Sequence, residues 1–179
     1  MITTSPVVRP AIDSDIEQIA QLFLDSVDTT VPGITFSTDP NYTLEKVVAS
    51  LQKRLFPPRS HNTYVLELHT GDIVGYGNVK PGGGPNHDED ELDMFFVKAG
   101  LGGRGYGSQL MEAIQAGWSE RGLCVHVFEK NARARRFYER WGFRHVEGAE
   151  EDLELHRADG PKEERACLLR WTRTSGSRS

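Results

Sequence analysis

Glycines crowd the stretch Gly100-Leu101-Gly102-Gly103-Arg104-Gly105-Tyr106-Gly107-Ser108. Residues without a Cβ let backbone amides come close to a ligand. Where such a turn opens a helix, the first amides lack internal partners and sit at the positive end of the helix dipole. The chemistry on offer is anion binding, and a pyrophosphate suits it. A second group stands in Asn131-Ala132-Arg133-Ala134-Arg135-Arg136-Phe137-Tyr138-Glu139-Arg140-Trp141-Gly142-Phe143. Within it Tyr138 offers a phenol of pKa about 10, protonated at neutral pH and so able to donate a proton. Glu91 and Asp93 are two apart in a strand-like run, so they share a face where either carboxylate could take a proton through water. His126 lies mid-strand beside Cys124 and reads as a satisfied structural histidine. The run His87-Asp88-Glu89-Asp90-Glu91 lacks the spacing of a calcium loop, and no metal is expected.

These residues need elements to hold them. Val7 to Arg9 reads as a first strand, and Ser14-Asp15-Ile16-Glu17 as a capping box. Ile16, Ile19, Ala20, Phe23 and Val27 then recur at helical spacing. Leu44, Val47, Val48, Leu51 and Leu55 form the inward stripe of a second helix, stopped by Pro57-Pro58. Tyr64 to Leu68 and Ile73 to Val79 are strands joined by the hairpin residues Thr70-Gly71-Asp72. Pro81 to Asp90 is a loop, Glu91 to Val97 a strand, and the glycine turn leads into a helix ending near Glu120. Leu123 to Phe128 is a strand and Asn131 to Trp141 a helix. Phe143 to Val146 and Ala166 to Trp171 are strands, with Ala158 to Glu164 a polar loop between. Three successive strands ahead of one crossover helix imply a mixed sheet with an antiparallel part.

Composition narrows the classes. The 179 residues fit one domain over 1–172, with a Ser/Gly/Arg-rich tail at 173–179 expected to be disordered. A net charge of −5 argues against nucleic acid as a main partner and agrees with a small cationic or amine-bearing substrate. No apolar run has the ~20 residues of a membrane span, and the first residues lack a signal-peptide pattern, so a cytoplasmic protein is expected. Two cysteines, Cys124 and Cys167, read as buried thiols. The glycine turn leaves two ligands open. Gly100-Leu101-Gly102-Gly103-Arg104-Gly105 fits the dinucleotide pattern G-x-G-x-x-G, with Glu129 placed for a ribose, although little chain follows for further β-α units. A Walker loop is excluded because no Lys precedes Ser108. The other, coenzyme A, comes with a family resemblance that these residues carry.

The same residues resemble the GNAT (GCN5-related N-acetyltransferase) family. Gly105-Tyr106-Gly107 matches the end of its pyrophosphate motif, and Arg104 the basic residue usual before it. Gly102 stands where that motif has Arg or Gln. Phe95-Phe96-Val97 looks like the exit of the family's fourth strand, where the strand parts from its neighbour and frees backbone groups for pantetheine. Asn131 to Phe143 is similar to the family's N-x-x-A-x-x-F-Y-x-x-x-G-F segment. The resemblance implies an α/β (α+β) acyl-CoA N-acyltransferase fold, with a central mixed, mostly antiparallel twisted sheet of about seven strands flanked by helices. It implies transfer of acetyl from acetyl-CoA directly to an amine. Contacts to the donor would come from Phe96, Val97, Gly102, Gly103, Arg104, Gly105, Tyr106, Gly107, Ser108, Asn131 and Tyr138. One of Arg133, Arg135 and Arg136 would reach the 3′-phosphate. Tyr138 would be the acid, and Glu91 is preferred to Asp93 as base. The acceptor side falls to Thr29–Tyr42 and Pro81–Asp90, which name no substrate, and a homodimer is compatible with the family. A non-catalytic acyl-CoA sensor and a dinucleotide-dependent oxidoreductase are the alternatives.

Overall fold

A computed structural model of the chain describes residues 5–56, 62–101, 103–118, 120 and 122–172. The strands are β1 (Val7–Pro10), β2 (Thr63–Glu67), β3 (Ile73–Lys80), β4 (Asp90–Val97), β5 (Leu123–Phe128), β6 (Arg144–His145), β7 (Glu151–Leu155) and β8 (Lys162–Trp171). The helices are α1 (Ile16–Val27), α2 (Leu44–Leu55), α3 (Tyr106–Gly117) and α4 (Ala132–Arg140), with a 3₁₀ turn at Asp13–Asp15 before α1. The sheet has eight strands in the order β1-β2-β3-β4-β5-β8-β6, and β7 also pairs with β8. β4 and β5 are parallel, and the other paired strands are antiparallel. The sheet is thus mixed and mostly antiparallel, and no doubly wound dinucleotide arrangement exists among the described residues. No helix there is long and apolar enough to cross a membrane.

The sheet separates two cores. α1 and α2 cover one face, with Ile19, Ala20, Val47, Leu51 and Leu55 packed on Val65, Tyr76 and Met94. α3 and α4 cover the other, where Leu110, Met111, Ile114 and Tyr138 meet Val79, Leu92, Leu123, Val125 and Leu169. Leu92 and Met94 are two apart yet face opposite cores. An inserted residue causes this: the β3–β4 register shifts between Asn78 and Val79, opposite Asp93. Gly75 and Gly77 let α3 lie close on β3, since a Cβ at Gly77 would come within 2.6 Å of Ile114 Cδ1.

Several sequence expectations need correction. The entry to α1 is made by Asp15, whose carboxylate accepts from Ile12 N–H at 2.8 Å and binds Arg9 at 2.7 Å, and not by a Ser14–Glu17 box. Thr43 caps α2, but Leu44 is 42% exposed and leaves the inward stripe, because the first turn overhangs the core. The polar loop expected at 158–164 is partly strand, since β8 already begins at Lys162, and β7 is an additional strand. Both owe their extension to each other: Glu151–Leu155 pairs with Lys162–Ala166 despite an acidic, poorly strand-forming sequence. Gly102, Pro57-Pro58 and the tail at 173–179 lie outside the described residues.

Candidate active site

The parallel ladder between β4 and β5 consists of two residue pairs, Asp90↔Leu123 and Glu91↔Cys124. Beyond Glu91 the strands part. The β5-side edge of β4 from Leu92 to Val97 pairs with no strand among the described residues, while its other edge stays on β3 to Val97. This is the splayed exit expected at Phe95-Phe96-Val97. The Phe96 side chain itself packs on the α1/α2 face, stacked on Tyr76 at 5.6 Å and edge-on to Phe23 at 5.4 Å. What Phe96 and Val97 can offer a ligand is therefore backbone.

The glycine turn meets this opening. Gly103 and Gly105 have φ of 81° and 77°, a left-handed conformation that side chains resist, and a Cβ at either would enter open space. Gly105 is the N-cap of α3 and no side chain caps it, so the amides of the first turn are left to a ligand or water. Arg104, Gly105 and Ser108 are exposed, and Tyr106 is half-buried. A Cβ at Gly107 would lie 3.3 Å from Phe137 and 3.7 Å from Val97 Cγ2, so β4's exit, α3's start and α4 converge there. An unpartnered helix start beside open glycine positions fits a pyrophosphate.

Asn131 caps α4, its Oδ1 accepting from Ala134 N–H at 3.1 Å. Tyr138, one of the buried residues, packs against Phe95, Phe137 and Phe143 on the α3/α4 face. Its hydroxyl has no hydrogen-bond partner among the described residues, and burial pushes its pKa well above the usual phenol value. The phenol is held in its protonated form.

Glu91 and Asp93 lie on the opposite face, as their spacing predicts, but go to different partners. Asp93 makes a two-point ion pair with Arg54 of α2 at 2.9 and 2.6 Å. Glu91 Oε1 sits 2.9 Å from His126 Nδ1, and His126 Nε2 sits 3.0 Å from Glu151 Oε1. His126 is thus satisfied, as read from the sequence, but by a candidate base. Its Glu91 hydrogen bond raises its pKa against the opposing effect of burial, and the Glu151 charge adds to the rise. Sequence reasoning missed Glu151, which arrives on a strand the pattern does not reveal. The α1–α2 loop closes over this face through Val31 and Phe36, which cluster with Phe128 and Leu155. Asp39 ties it to the β7–β8 connection by accepting from Ala158 N–H at 3.1 Å.

Residues 59–145 match a family model described as an acetyltransferase (GNAT) domain. The spermine/spermidine N(1)-acetyltransferase of Bacillus subtilis (strain 168) is 33% identical over 85 residues, 42% of this chain and 55% of that protein. The chain thus spans about half the length of the curated relative it matches. An acetyltransferase from Thermus thermophilus superposes with a TM-score of 0.67 at 24% identity, over 96% of this chain and all of that one (100%). A PaiA N-acetyltransferase from Thermoplasma acidophilum, solved in complex with coenzyme A, gives 0.62 at 15% identity, covering 94% and 100%. The last two likenesses speak to the fold.

Proposed function

The chain belongs to the GNAT acetyltransferase family, and from that membership we propose that it transfers an acetyl group from acetyl-CoA directly to an amine. One observation carries the proposal: the β4–β5 ladder ends after two residue pairs, opening a gap with Tyr138 on one face and Glu91 on the other. A thioester seated in that gap is reached by an amine from the α1/α2 side and loses its thiolate toward α4.

The residues take roles on that reading. The turn from Gly102 to Ser108 holds the pyrophosphate with backbone amides, helped by Arg104. The open edge of β4 at Phe96 and Val97 pairs with the pantetheine, and Val97 N–H polarises the thioester carbonyl, a donor aimed where negative charge develops. Asn131 keeps the start of α4 in place and presents its amide nitrogen to the donor. Glu91 takes a proton from the ammonium through water, making the nitrogen nucleophilic. Asp93 is the weaker choice because Arg54 occupies both of its oxygens. Tyr138 gives its proton to the sulfur. The acceptor class is a cationic amine, in keeping with the net charge of −5. Since a relative acts on spermine and spermidine, an aliphatic polyamine is the first acceptor to offer.

The test is a thermal-shift comparison of acetyl-CoA, CoA, NAD and NADP at one concentration, followed by free-thiol release with spermidine. A ligand at 100 times its Kd adds about 2.7 kcal/mol of stability. We expect the rise from acetyl-CoA and CoA alone. Stabilisation by NAD or NADP alone overturns the donor assignment. Donor binding without turnover on any amine of a broad panel leaves an acyl-CoA sensor.

A further inference from the structure

On the α1/α2 face β5 presents Cys124, His126 and Phe128 in turn. The β3–β4 loop sits over the first, where a Cβ at Gly84 would lie 3.3 Å from Cys124 Sγ. The α1–α2 loop sits over the third, through the cluster of Val31 and Phe36 with Phe128. His126 is left between the two loops. It stands two residues past Cys124, the last β5 residue paired with β4, and so borders the gap.

Both ring nitrogens face carboxylates, Nδ1 that of Glu91 at 2.9 Å and Nε2 that of Glu151 at 3.0 Å. An ionised carboxylate only accepts, so Nδ1 donates to Glu91, while Glu151 lies at ion-pair distance from Nε2 and favours the protonated ring. Glu91 is held from its other side as well. A Cβ at Gly83 would come within 2.9 Å of Glu91 Cβ and 3.0 Å of Oε2, so glycine there leaves the carboxylate its place. The Glu91 side chain is 15% exposed and that of Glu151 is 52% exposed, so the arrangement is anchored at the surface and ends at the gap.

We infer that His126 is a positioning residue for deprotonation of the acceptor, fixing the Glu91 carboxylate at the β4–β5 gap while Glu151 and Gly83 set the pose of the pair. The inference rests on the reading of Glu91 as the base. In the reaction an ammonium and a thioester give an amide, a thiol and one free proton. The C–S bond breaks and the C–N bond forms. One nitrogen proton replaces the one Tyr138 gives to sulfur, and the other passes to Glu91 and on to water. A base that must meet that proton through one water gains from being unable to swing.

Two near-isosteric variants separate the bonds. Asn carries its amide nitrogen near the place of Nδ1, and Gln near that of Nε2. With acetyl-CoA and spermidine, His126→Gln should lower kcat about tenfold or more with KM for acetyl-CoA unchanged, while His126→Asn stays within about threefold of wild type. Gly83→Ala, which crowds Glu91 without touching His126, should also lower kcat. Equal rates for the Asn and Gln variants, or a wild-type rate for Gln, would overturn the inference. Glu91→Gln in the same series separates the premises. If it keeps full turnover, the base reading falls and the positioning role with it. If it loses turnover while His126→Gln does not, the positioning role alone falls. Independently of turnover, ¹⁵N spectra of the protein without donor should show His126 protonated on both nitrogens at neutral pH, with Nε2 shifting in Glu151→Gln. A ring protonated on one nitrogen would count against the bridge.

Discussion

Tyr138 shows how a residue's surroundings decide what its functional group can do. Three aromatic rings enclose its own ring and leave the hydroxyl without a protein partner among the described residues, and burial favours the neutral phenol. Removing only the oxygen should therefore spare the fold and the donor. We expect Tyr138→Phe to lower kcat by about 10², with acetyl-CoA affinity by calorimetry little changed; unaltered turnover would remove Tyr138 as the acid. His126 makes a prediction about pH. Its folded pKa lies above its unfolded value, so its stabilising contribution is fully present below the unfolded value of about 6.5 and is lost as pH rises through the folded one. The difference in Tm between wild type and His126→Gln should be larger at pH 6 than at pH 9. Tyr138 and Glu91 each stand inside a local pattern, so the sequence alone could put them forward as candidates. The partnership of His126 was not legible there, since it joins β4, β5 and β7, and only folding brings their side chains together.

Elements with a period were legible, and those made by pairing were not. α1, α2, α3 and α4 carry apolar stripes, and β5 is a largely apolar run, Leu-Cys-Val-His-Val-Phe. β7 reads Glu-Asp-Leu-Glu-Leu and exists because β8 offers it a ladder. The insertion at Asp93 left no mark either, as no glycine or proline signals it, yet it decides that Phe95 faces α4 and Phe96 faces α1. The turn before α3 was readable because Gly100, Gly103 and Gly105 adopt a left-handed φ that favours glycine. Gly105→Val there meets two penalties, a φ of 77° and a side chain in the space offered to the pyrophosphate. Titration calorimetry should show CoA binding lost while the circular dichroism spectrum stays that of wild type; retained affinity would remove this turn from the donor site.

At the scale of the whole molecule the proposed acceptor side draws on distant pieces of chain. Asp39, with its side chain 2% exposed, joins the α1–α2 loop to the β7–β8 connection through Ala158 N–H and Arg157, and braces its own loop through Asn41 N–H. Replacing it by Ala strands buried donors and should cost about 1–3 kcal/mol in urea unfolding. KM for the acceptor should rise with KM for acetyl-CoA unchanged; equal changes in both would show that the clasp serves the fold as a whole. No sequence pattern announces such a clasp, because an Asp in a loop looks the same whether it faces water or a neighbour. The parted strands have a mechanical consequence too. With two residue pairs of backbone between β4 and β5, load across the sheet's middle passes through side chains, where Leu110, Met111 and Ile114 of α3 pack with Leu92 of β4 and with Leu123 and Val125 of β5. The protein resembles two panels on a single spine, and whatever lies between the panels becomes part of the frame.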